Sequence, residues 1–299
     1  MSEGAPFKAG FVVLLGRPNA GKSTLMNALL GTKLSIVSPH PQTTRHKILG
    51  ILERPGAQIC FLDTPGLLAQ PGDPLQSALR RAAAASARED PDILLLLVEP
   101  KAPDAGAMEE LAALAKGQHA VILAVNKMDL PGAAAAADAV EKAYAEAVKP
   151  AAVARVSALK KLGLEALLAD IEARLPQSPP FYEQGRLSDR WERFFAGELI
   201  REQLFSLYSD EIPHATAVAV EQFIEGGPAD VVRAILYVER DGQKGIILGK
   251  GGAALRKLSE RSRAAISDFT GRPTELDLWV KVRKNWRRDP RSLREFGYA

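Results

Sequence analysis

Cysteine, histidine and long apolar runs are scarce in this chain, and each shortage excludes a class of function. One cysteine, Cys60, excludes an intramolecular disulfide, and its place in an apolar run predicts a buried packing role. The four histidines are scattered without metal-ligand spacing, so a catalytic zinc site is not expected. No apolar run approaches the roughly 18 residues of a membrane-spanning helix, and residues 1–8 lack the plan of a signal peptide. We therefore expect a soluble protein of a reducing compartment, the cytoplasm.

Proline marks the expected division of the chain. The 299 residues are 46% hydrophobic and 25% charged, which is ordinary for a globular protein of about two domains. Pro176-Gln-Ser-Pro-Pro180 prevents helix continuation and favours an extended connection. The sequence therefore predicts a first domain over 1–177, a proline-rich linker over 178–188 and a second domain over 189–299.

A glycine-rich segment follows the first apolar run. Residues 16–23 read Gly-Arg-Pro-Asn-Ala-Gly-Lys-Ser and precede a helical pattern at 25–30. This strand–loop–helix context is typical of a phosphate-binding loop, whose backbone N–H groups face polyphosphate oxygens. Lys22 would place a positive charge between the terminal phosphates, and Ser23 would offer a hydroxyl to Mg²⁺. The segment predicts a nucleoside triphosphate ligand.

Polar residues also follow two later apolar runs. Asp63-Thr-Pro-Gly66 comes after one run and Asn126-Lys-Met-Asp129 after another, at the strand ends where open α/β sheets bind ligands. Asp63 would hold the magnesium water shell, and Gly66 would let the backbone approach a γ-phosphate. Asp129 can accept both the ring N–H and the exocyclic amine of guanine, and adenine has no such donor pair. The base is therefore expected to be guanine.

A fourth segment completes the set. Val156-Ser-Ala158 ends a further strand and would offer a backbone N–H to guanine O6. In order and spacing the four segments resemble the GTPase signature of the P-loop class related to translation factors. The residues expected to bind GTP are Gly16, Arg17, Pro18, Asn19, Ala20, Gly21, Lys22, Ser23, Thr24, Asp63, Thr64, Pro65, Gly66, Asn126, Lys127, Asp129, Ser157 and Ala158.

A loop that senses the γ-phosphate is expected between the first helix and the next strand, where Pro41-Gln-Thr-Thr-Arg45 lies. Either Thr43 or Thr44 would ligate Mg²⁺ together with Ser23 and Asp63, and the sequence does not choose between them. The residues expected to assist catalysis are Lys22, Thr43, Thr44, Gly66 and Asn19.

The order of patterns predicts two different folds. Strands alternate with helices from residue 10 to 175, which is typical of a mostly parallel sheet wrapped by helices. Together with the motif resemblance, this predicts an α/β P-loop GTPase domain. Beyond the linker, an amphipathic helix over 189–208, with Trp191 as an expected core anchor, precedes two strand-like runs, a helix pair and a last strand. This order resembles the second KH topology, an α+β fold.

The helix pair is interrupted by Gly249-Lys-Gly-Gly252. KH modules clamp a single-stranded nucleic-acid backbone with Gly-X-X-Gly between two helices, and a glycine-capped helix–turn–helix connection is the alternative. Residues 240–263 contain seven basic and two acidic residues, and residues 281–294 contain seven and one. Trp286 lies among the latter cations, a combination that favours phosphate tracking and base stacking, and a solvated charged end is the alternative. RNA binding is expected at Ile247, Gly249, Lys250, Gly251, Gly252, Arg256, Lys257, Lys281, Arg283 and Lys284, with Ile246, Ile247 and Leu248 lining an apolar groove.

With these motifs, and with segments 275–282 and 293–298, nearly the whole chain resembles the Era family of bacterial GTPases. The resemblance implies a ribosome-assembly factor that binds the 3′ end of 16S ribosomal RNA through its KH groove and acts in maturation of the 30S subunit. Nucleotide state would switch RNA binding. The resemblance also implies peripheral association with the inner membrane, although no lipid anchor is visible, and we expect a monomer.

Leu67 stands where Ras-like enzymes carry the glutamine that orients the attacking water. We therefore expect slow intrinsic hydrolysis, stimulated by an ion, RNA or the ribosome. The resemblance implies that Asn19 coordinates K⁺, and a loop-capping asparagine is the alternative. Two other functions stay open. One is an RNA-binding scaffold that holds GTP without useful turnover; the other is a tRNA-modification or transport GTPase, which would carry further dimerisation or spanning segments.

Overall fold

The computed structural model describes residues 6–67, 70–102, 104–209 and 211–298, which divide into two compact units. The first unit comprises Met1–Ser35, Thr44–Pro71 and Leu79–Asp189. The second comprises Ile36–Thr43, Gly72–Ala78 and Arg190–Ala299. The expected domain ends Met1 and Ala299 lie outside the described residues. Two short segments of the expected first domain, 36–43 and 72–78, therefore pack with the second unit. A single boundary placed in the sequence does not predict this.

The first unit is built on a six-stranded sheet. Its strands are β1 (Lys8–Gly16), β2 (Ile48–Arg54), β3 (Ala57–Asp63), β4 (Ile93–Val98), β5 (Val121–Val125) and β6 (Ala152–Arg155). Their order is β2-β3-β1-β4-β5-β6, with β2 antiparallel to β3 and all other pairs parallel. All residues of β4 are apolar and buried, as expected for a strand covered on both faces. The predicted mostly parallel sheet is confirmed.

Five helices belong to the α/β pattern: α1 (Lys22–Leu30), α2 (Pro74–Arg88), α3 (Ala105–Ala115), α4 (Ala133–Val148) and α5 (Leu164–Arg174). The alanine-rich α4 buries Ala133, Ala137, Val140, Tyr144 and Val148 at helical spacing. The low-complexity sequence of α4 therefore forms a packed helix.

Parallel pairing brings the ends of several strands to one edge of the sheet. Gly16 ends β1 and is paired with Leu97 of β4, while Asp63 ends β3 and is paired with Leu14 of β1. Asn126 follows β5 directly. Because the carboxyl ends of parallel strands meet at the same edge, the polar residues of the sequence motifs come together there.

The segment predicted as a linker, 178–188, is fastened to the first unit. The buried side chain of Gln58 accepts hydrogen bonds from the backbone N–H groups of Phe181 (2.8 Å) and Tyr182 (3.0 Å), and donates to the Tyr182 carbonyl (2.9 Å). The Ser188 hydroxyl donates to the carbonyl of Leu49 at 2.6 Å. The two units accordingly divide after Asp189.

The second unit contains a three-stranded sheet and the helices that pack with it. Its elements are α6 (Glu192–Leu207), α7 (Glu211–Ala215), β7 (Ala217–Ile224), β8 (Asp230–Val238), α8 (Asp241–Leu248), α9 (Ala253–Thr270), β9 (Thr274–Val282) and α10 (Pro290–Glu295). The sheet order is β7-β8-β9, with β7 antiparallel and β9 parallel to β8. The predicted second KH topology is confirmed. In the part of the chain that the structure describes, no helix is long and apolar enough to cross a membrane.

Two tryptophans of the second unit lie where the sequence analysis did not place them. Trp191 is the N-cap of α6 and is 83% exposed, because it precedes the helix and so stands outside the buried face that Phe195 and Leu199 form. Trp286 is fully buried, and its indole N–H donates to the carbonyl of Ala215 at 2.8 Å. The expected roles of Trp191 as a core anchor and Trp286 as a stacking surface are both wrong.

We predict that Trp286→Ala destabilises the second unit by about 3–5 kcal/mol, because the change leaves a cavity and an unpaired carbonyl. All three tryptophans (191, 279 and 286) lie in this unit, so urea unfolding followed by tryptophan fluorescence reports on it. Trp191→Phe is the matched control, with an expected change within about 0.5 kcal/mol. A Trp286→Ala transition at the wild-type urea concentration would contradict the assignment.

Candidate functional site

The loop between β1 and α1 depends on two residues in the left-handed conformation, Asn19 (φ 63°) and Gly21 (φ 95°). The N–H of Leu25 donates to the Gly21 carbonyl at 2.8 Å and begins the helical ladder. A Cβ atom on Gly21 would lie 2.3 Å from Nδ2 of Asn126. Both the conformation and this close neighbour therefore require glycine, and the loop leads directly into the N-terminus of α1, which favours bound anions.

Lys22 is buried in this loop. Its Nζ atom donates to the carbonyl oxygens of Gly16 and Arg17, both at 3.1 Å. Burial lowers the pKa of Lys22 to about 8, and the charge of Asp63 acts in the opposite direction. The ammonium is thus held at the mouth of the loop by carbonyl oxygens that phosphate oxygens can replace.

Three oxygen-bearing side chains meet beside the loop. The Ser23 hydroxyl donates to Oδ2 of Asp63 at 2.6 Å and lies 2.8 Å from the hydroxyl of Thr44. Asp63 is fully buried, its Oδ1 atom has no hydrogen-bond partner among the described residues, and burial raises its pKa against the opposing charge of Lys22. Hydroxyl and carboxylate oxygens are the ligands that Mg²⁺ prefers. The residues present therefore fit a magnesium ion held by Ser23 and Thr44 with the support of Asp63.

The two candidate switch threonines differ in their surroundings. Thr43 donates its hydroxyl hydrogen bond to the carbonyl of His40 at 2.7 Å and belongs to the second unit. Thr44 belongs to the first unit and contacts Ser23. This contact favours Thr44 over Thr43 as the magnesium ligand.

The segment after β3 packs on the phosphate-binding loop. A Cβ atom on Gly66 would lie 2.6 Å from the backbone nitrogen of Pro18, so glycine permits this approach. Leu67 donates its N–H to the Gly16 carbonyl at 3.1 Å, and its side chain is buried in the apolar core. A buried leucine cannot orient a water molecule, which agrees with the slow hydrolysis expected from the sequence.

The amide of Asn126 joins two loops at the other end of the site. Its Nδ2 atom donates to the Ala20 carbonyl at 2.9 Å, and its Oδ1 atom accepts the N–H of Ala158 at 3.0 Å. The Ala158 N–H, one of those that the 156–158 segment would offer to guanine O6, is therefore already bonded, and a base would share it with Asn126. The Ser157 hydroxyl donates to Oδ1 of Asp129 at 2.5 Å and fixes the orientation of this carboxylate.

Two acidic residues outside every motif contact the motif residues. Asp104, the N-cap of α3, pairs with Arg17 at 3.1 Å. Glu99, which follows β4, pairs with Lys127. Sequence analysis missed both, because acidic residues after a strand or before a helix are common.

The Gly-X-X-Gly loop of the second unit is built on positive φ angles at Gly249 (68°), Gly251 (58°) and Gly252 (78°). A Cβ atom on Gly249 would lie 2.7 Å from that of Ala254. The loop joins α8 to α9, and the side chains of Lys250, Arg256 and Lys257 are exposed along it and the first turn of α9. These three cations are available to phosphate groups.

Ile247 differs from its expected place in an apolar groove. Its side chain is fully buried in the core of the second unit, and its carbonyl accepts a hydrogen bond from the Tyr208 hydroxyl at 3.2 Å. Helical geometry turns the neighbouring Ile246 outward, and this side chain is 54% exposed. Ile246 is therefore the residue of this pair that a nucleic acid can reach.

The basic tail is partly committed to contacts within the second unit. Arg283 pairs with Glu295 at 2.8 Å and lies over the ring of Phe296 at 5.1 Å, and the hydrogen bond to Glu295 raises the pKa of Arg283. Lys281 and Lys284 are exposed. The structure thus leaves these two lysines accessible and uses Arg283 in packing.

Comparison with known proteins finds related sequences and structures for the whole chain. Residues 11–127 match the family model of 50S ribosome-binding GTPases, and residues 211–287 match that of KH domains. GTPase Era of Stenotrophomonas maltophilia is 42% identical, and that of Xanthomonas campestris pv. campestris is 41% identical, each over 100% of both chains. The chain belongs to the GTPase Era family. As a member, it is a GTP-hydrolysing enzyme that uses guanine nucleotide and Mg²⁺.

Two solved Era structures share the fold at 34% identity. One is Era in complex with MgGDPNP and nucleotides 1506–1542 of 16S ribosomal RNA, with a TM-score of 0.92 over 98% of this chain and 99% of that one. The other is a variant of Aquifex aeolicus Era bound to GDP·AlF₄⁻, with a TM-score of 0.91 over 98% of this chain and 100% of that one. The arrangement of strands and helices described above is therefore that of the Era family.

We predict that Gly21→Ala weakens GDP binding at least about tenfold, because the new Cβ atom would displace the Asn126 amide. Gly31→Ala is the matched control, since Gly31 also has a positive φ (69°) but nothing within 4 Å of an added Cβ. It should lower stability by about 1 kcal/mol and leave the affinity unchanged. Titration with a fluorescent GDP analogue measures both, and equal affinities of the two variants would contradict the prediction.

Proposed function

We propose that this GTPase binds the 3′ end of 16S ribosomal RNA through its KH domain and assists maturation of the 30S subunit in the cytoplasm. One observation carries the proposal: a single chain joins a magnesium–guanine-nucleotide site to a KH fold with an exposed Lys250 in its Gly-X-X-Gly loop. A relative of the same architecture, Era, was crystallised with nucleotides 1506–1542 of that RNA. Monomeric action and peripheral contact with the inner membrane belong to the same proposal.

The residues of the site divide the work of hydrolysis. The phosphate-binding loop and Lys22 would neutralise the charge that develops on the phosphoryl oxygens, and Ser23, Thr44 and Asp63 would hold Mg²⁺. Gly66 would admit the backbone to the γ-phosphate. With Leu67 buried, no side chain at that position orients water, so the unstimulated rate is slow.

Communication between GTP and RNA is the second part of the proposal. Segment 36–43 directly precedes Thr44, and segment 72–78 follows Gly66 by a few residues, but both segments pack within the second unit. The N–H of Val37 donates to Glu202 of α6 at 3.2 Å, and Arg287 pairs with Asp73 at 3.3 Å. A change of nucleotide that moves the switch residues would therefore alter these contacts of the KH-containing unit.

We predict that a short single-stranded RNA copied from the 3′ end of 16S ribosomal RNA accelerates multiple-turnover phosphate release from GTP. The physical reason is that bound RNA would shift the conformational equilibrium of the second unit, which contains segments 36–43 and 72–78. A scrambled RNA of equal length is the control. Hydrolysis that ignores both RNAs would contradict the communication, and the absence of turnover would favour the scaffold alternative.

The Gly-X-X-Gly loop is tested by charge reversal, in a binding titration with the same RNA at several salt concentrations. Lys250→Glu should weaken RNA binding by about tenfold and reduce its salt dependence, because one phosphate contact is lost. Lys142→Glu on α4 makes the same change of charge at a lysine of the first unit, far along the chain from the KH fold, and should bind RNA like wild type. Equal losses in both variants would assign the effect to net charge alone.

We also propose that Asn19 helps to hold K⁺ beside the phosphates. Its left-handed conformation (φ 63°) within the phosphate-binding loop supports this proposal. Replacing K⁺ by Na⁺ at constant ionic strength should then slow phosphate release by at least about tenfold, because removal of a group that stabilises developing charge costs up to about 10²–10³ in rate. An unchanged rate in Na⁺ would leave Asn19 with the alternative role of a loop cap.

A further inference from the structure

Glu99 lies between two lysines at the end of β4. One carboxylate oxygen, Oε1, accepts a hydrogen bond from Nζ of Lys127, and the other, Oε2, pairs with Nζ of Lys101. The Glu99 side chain is only 18% exposed, whereas that of Lys101 is 71% exposed. Burial alone would raise the pKa of Glu99, but the hydrogen bonds from both lysines outweigh it and lower the pKa. Glu99 is therefore a charged group near neutral pH.

The strand register explains why this acid reaches Lys127. Val98 of β4 is paired with Val125 of β5, and the N–H of Asn126 donates to the Val98 carbonyl at 2.9 Å. Glu99 directly follows Val98, and Lys127 directly follows Asn126. The two residues therefore come immediately after the last hydrogen bond between β4 and β5. Lys127 has a positive φ of 65°, a conformation that lysine adopts only when its surroundings enforce it.

We propose that Glu99 is a positioning residue for guanine recognition, which holds the ammonium of Lys127 so that the four-carbon stem of this lysine covers one face of the base. The proposal rests on the guanine-nucleotide function proposed above and on the contact of Asp129 with the base that the sequence predicts. A lysine stem is apolar and can pack along a flat ring while its charged end stays hydrogen-bonded. Without Glu99 the Lys127 side chain would sample other rotamers, and that freedom would be lost on binding.

In this proposal Glu99 and Ser157 support contacts with different parts of the base, so their loss should change nucleotide affinity in different ways. Asp129, oriented by Ser157, reads the edge of the base, including the exocyclic amine that guanine has and hypoxanthine lacks. Lys127 would cover a face that both bases share. Loss of Glu99 should therefore weaken GDP and IDP binding equally, whereas loss of the Ser157 hydroxyl should reduce the preference for GDP over IDP.

The experiment is a competition titration of the full chain with GDP, IDP and ADP in the presence of Mg²⁺. Glu99→Gln keeps the side-chain volume and should raise the Kd for GDP and IDP by the same factor, about five- to tenfold, as expected for loss of one charge-assisted hydrogen bond. Lys101→Ala removes the other partner of Glu99 and should leave both values unchanged. Ser157→Ala serves as the control that changes the GDP/IDP ratio.

Three results would overturn the proposal. The first is an affinity of Glu99→Gln for GDP within twofold of wild type. The second is tighter binding of GDP by Glu99→Gln, which would mean that Glu99 holds Lys127 away from the base. The third is a changed GDP/IDP ratio, which would mean that Glu99 acts through Asp129. A wild-type chain that does not prefer GDP to ADP would instead reject the guanine site and the proposal with it. An unchanged urea midpoint for Glu99→Gln separates positioning from loss of fold.

Discussion

The buried amide of Asn126 is the interaction on which the nucleotide site depends. It donates to Ala20 in the phosphate-binding loop and accepts from Ala158 in the loop after β6, so one side chain sets the distance between the phosphate end and the base end. Both bonds lie in the interior, where an unpaired amide or carbonyl is costly, so the arrangement tolerates little variation. The same amide excludes any side chain at Gly21. The conformation of the phosphate-binding loop and the position of the loop after β6 are thereby tied together.

Much of this site follows from the sequence because its parts are local. A phosphate-binding loop needs glycine at a fixed place before a helix, and an apolar run ending in Asp63 or Asn126 needs only to be a parallel strand to deliver that residue to the common edge. The apolar patterns predict the alternation of strands and helices behind the mostly parallel sheet, and an order of elements in the second unit that resembles the KH order. Each of these features depends on residues that are close together in the chain, so the sequence shows the residues that determine it.

The errors arise where long-range packing decides. Ile246 and Ile247 are adjacent and chemically identical, and only the docking of α8 determines that Ile247 enters the core. Trp286 stands among cations, yet Ala215 of a distant helix offers a buried carbonyl that accepts its indole N–H. Long-range packing also decides the role of Gln58, because a polar residue inside a strand gives no sign that it binds the 178–188 segment. Glu99 was missed because an acidic residue after a strand is common, and nothing in the sequence pairs it with Lys127, 28 residues away.

The placement of the switch residues bears on the proposed communication between the nucleotide site and RNA. Thr43 and Thr44 are neighbours in sequence, but Thr44 contacts Ser23 in the first unit while Thr43 is bonded to His40, whose ring stacks on Phe205 in the second. One peptide bond transmits displacement far more directly than the 178–188 segment, which is fixed to the first unit along its length. If Thr44 moves to take a place on Mg²⁺, Thr43 must follow, and the His40 contact must stretch or shift. We propose on this argument that the switch loop, rather than the proline-rich segment, would carry a nucleotide-dependent change to the second unit, through the contacts of segment 36–43.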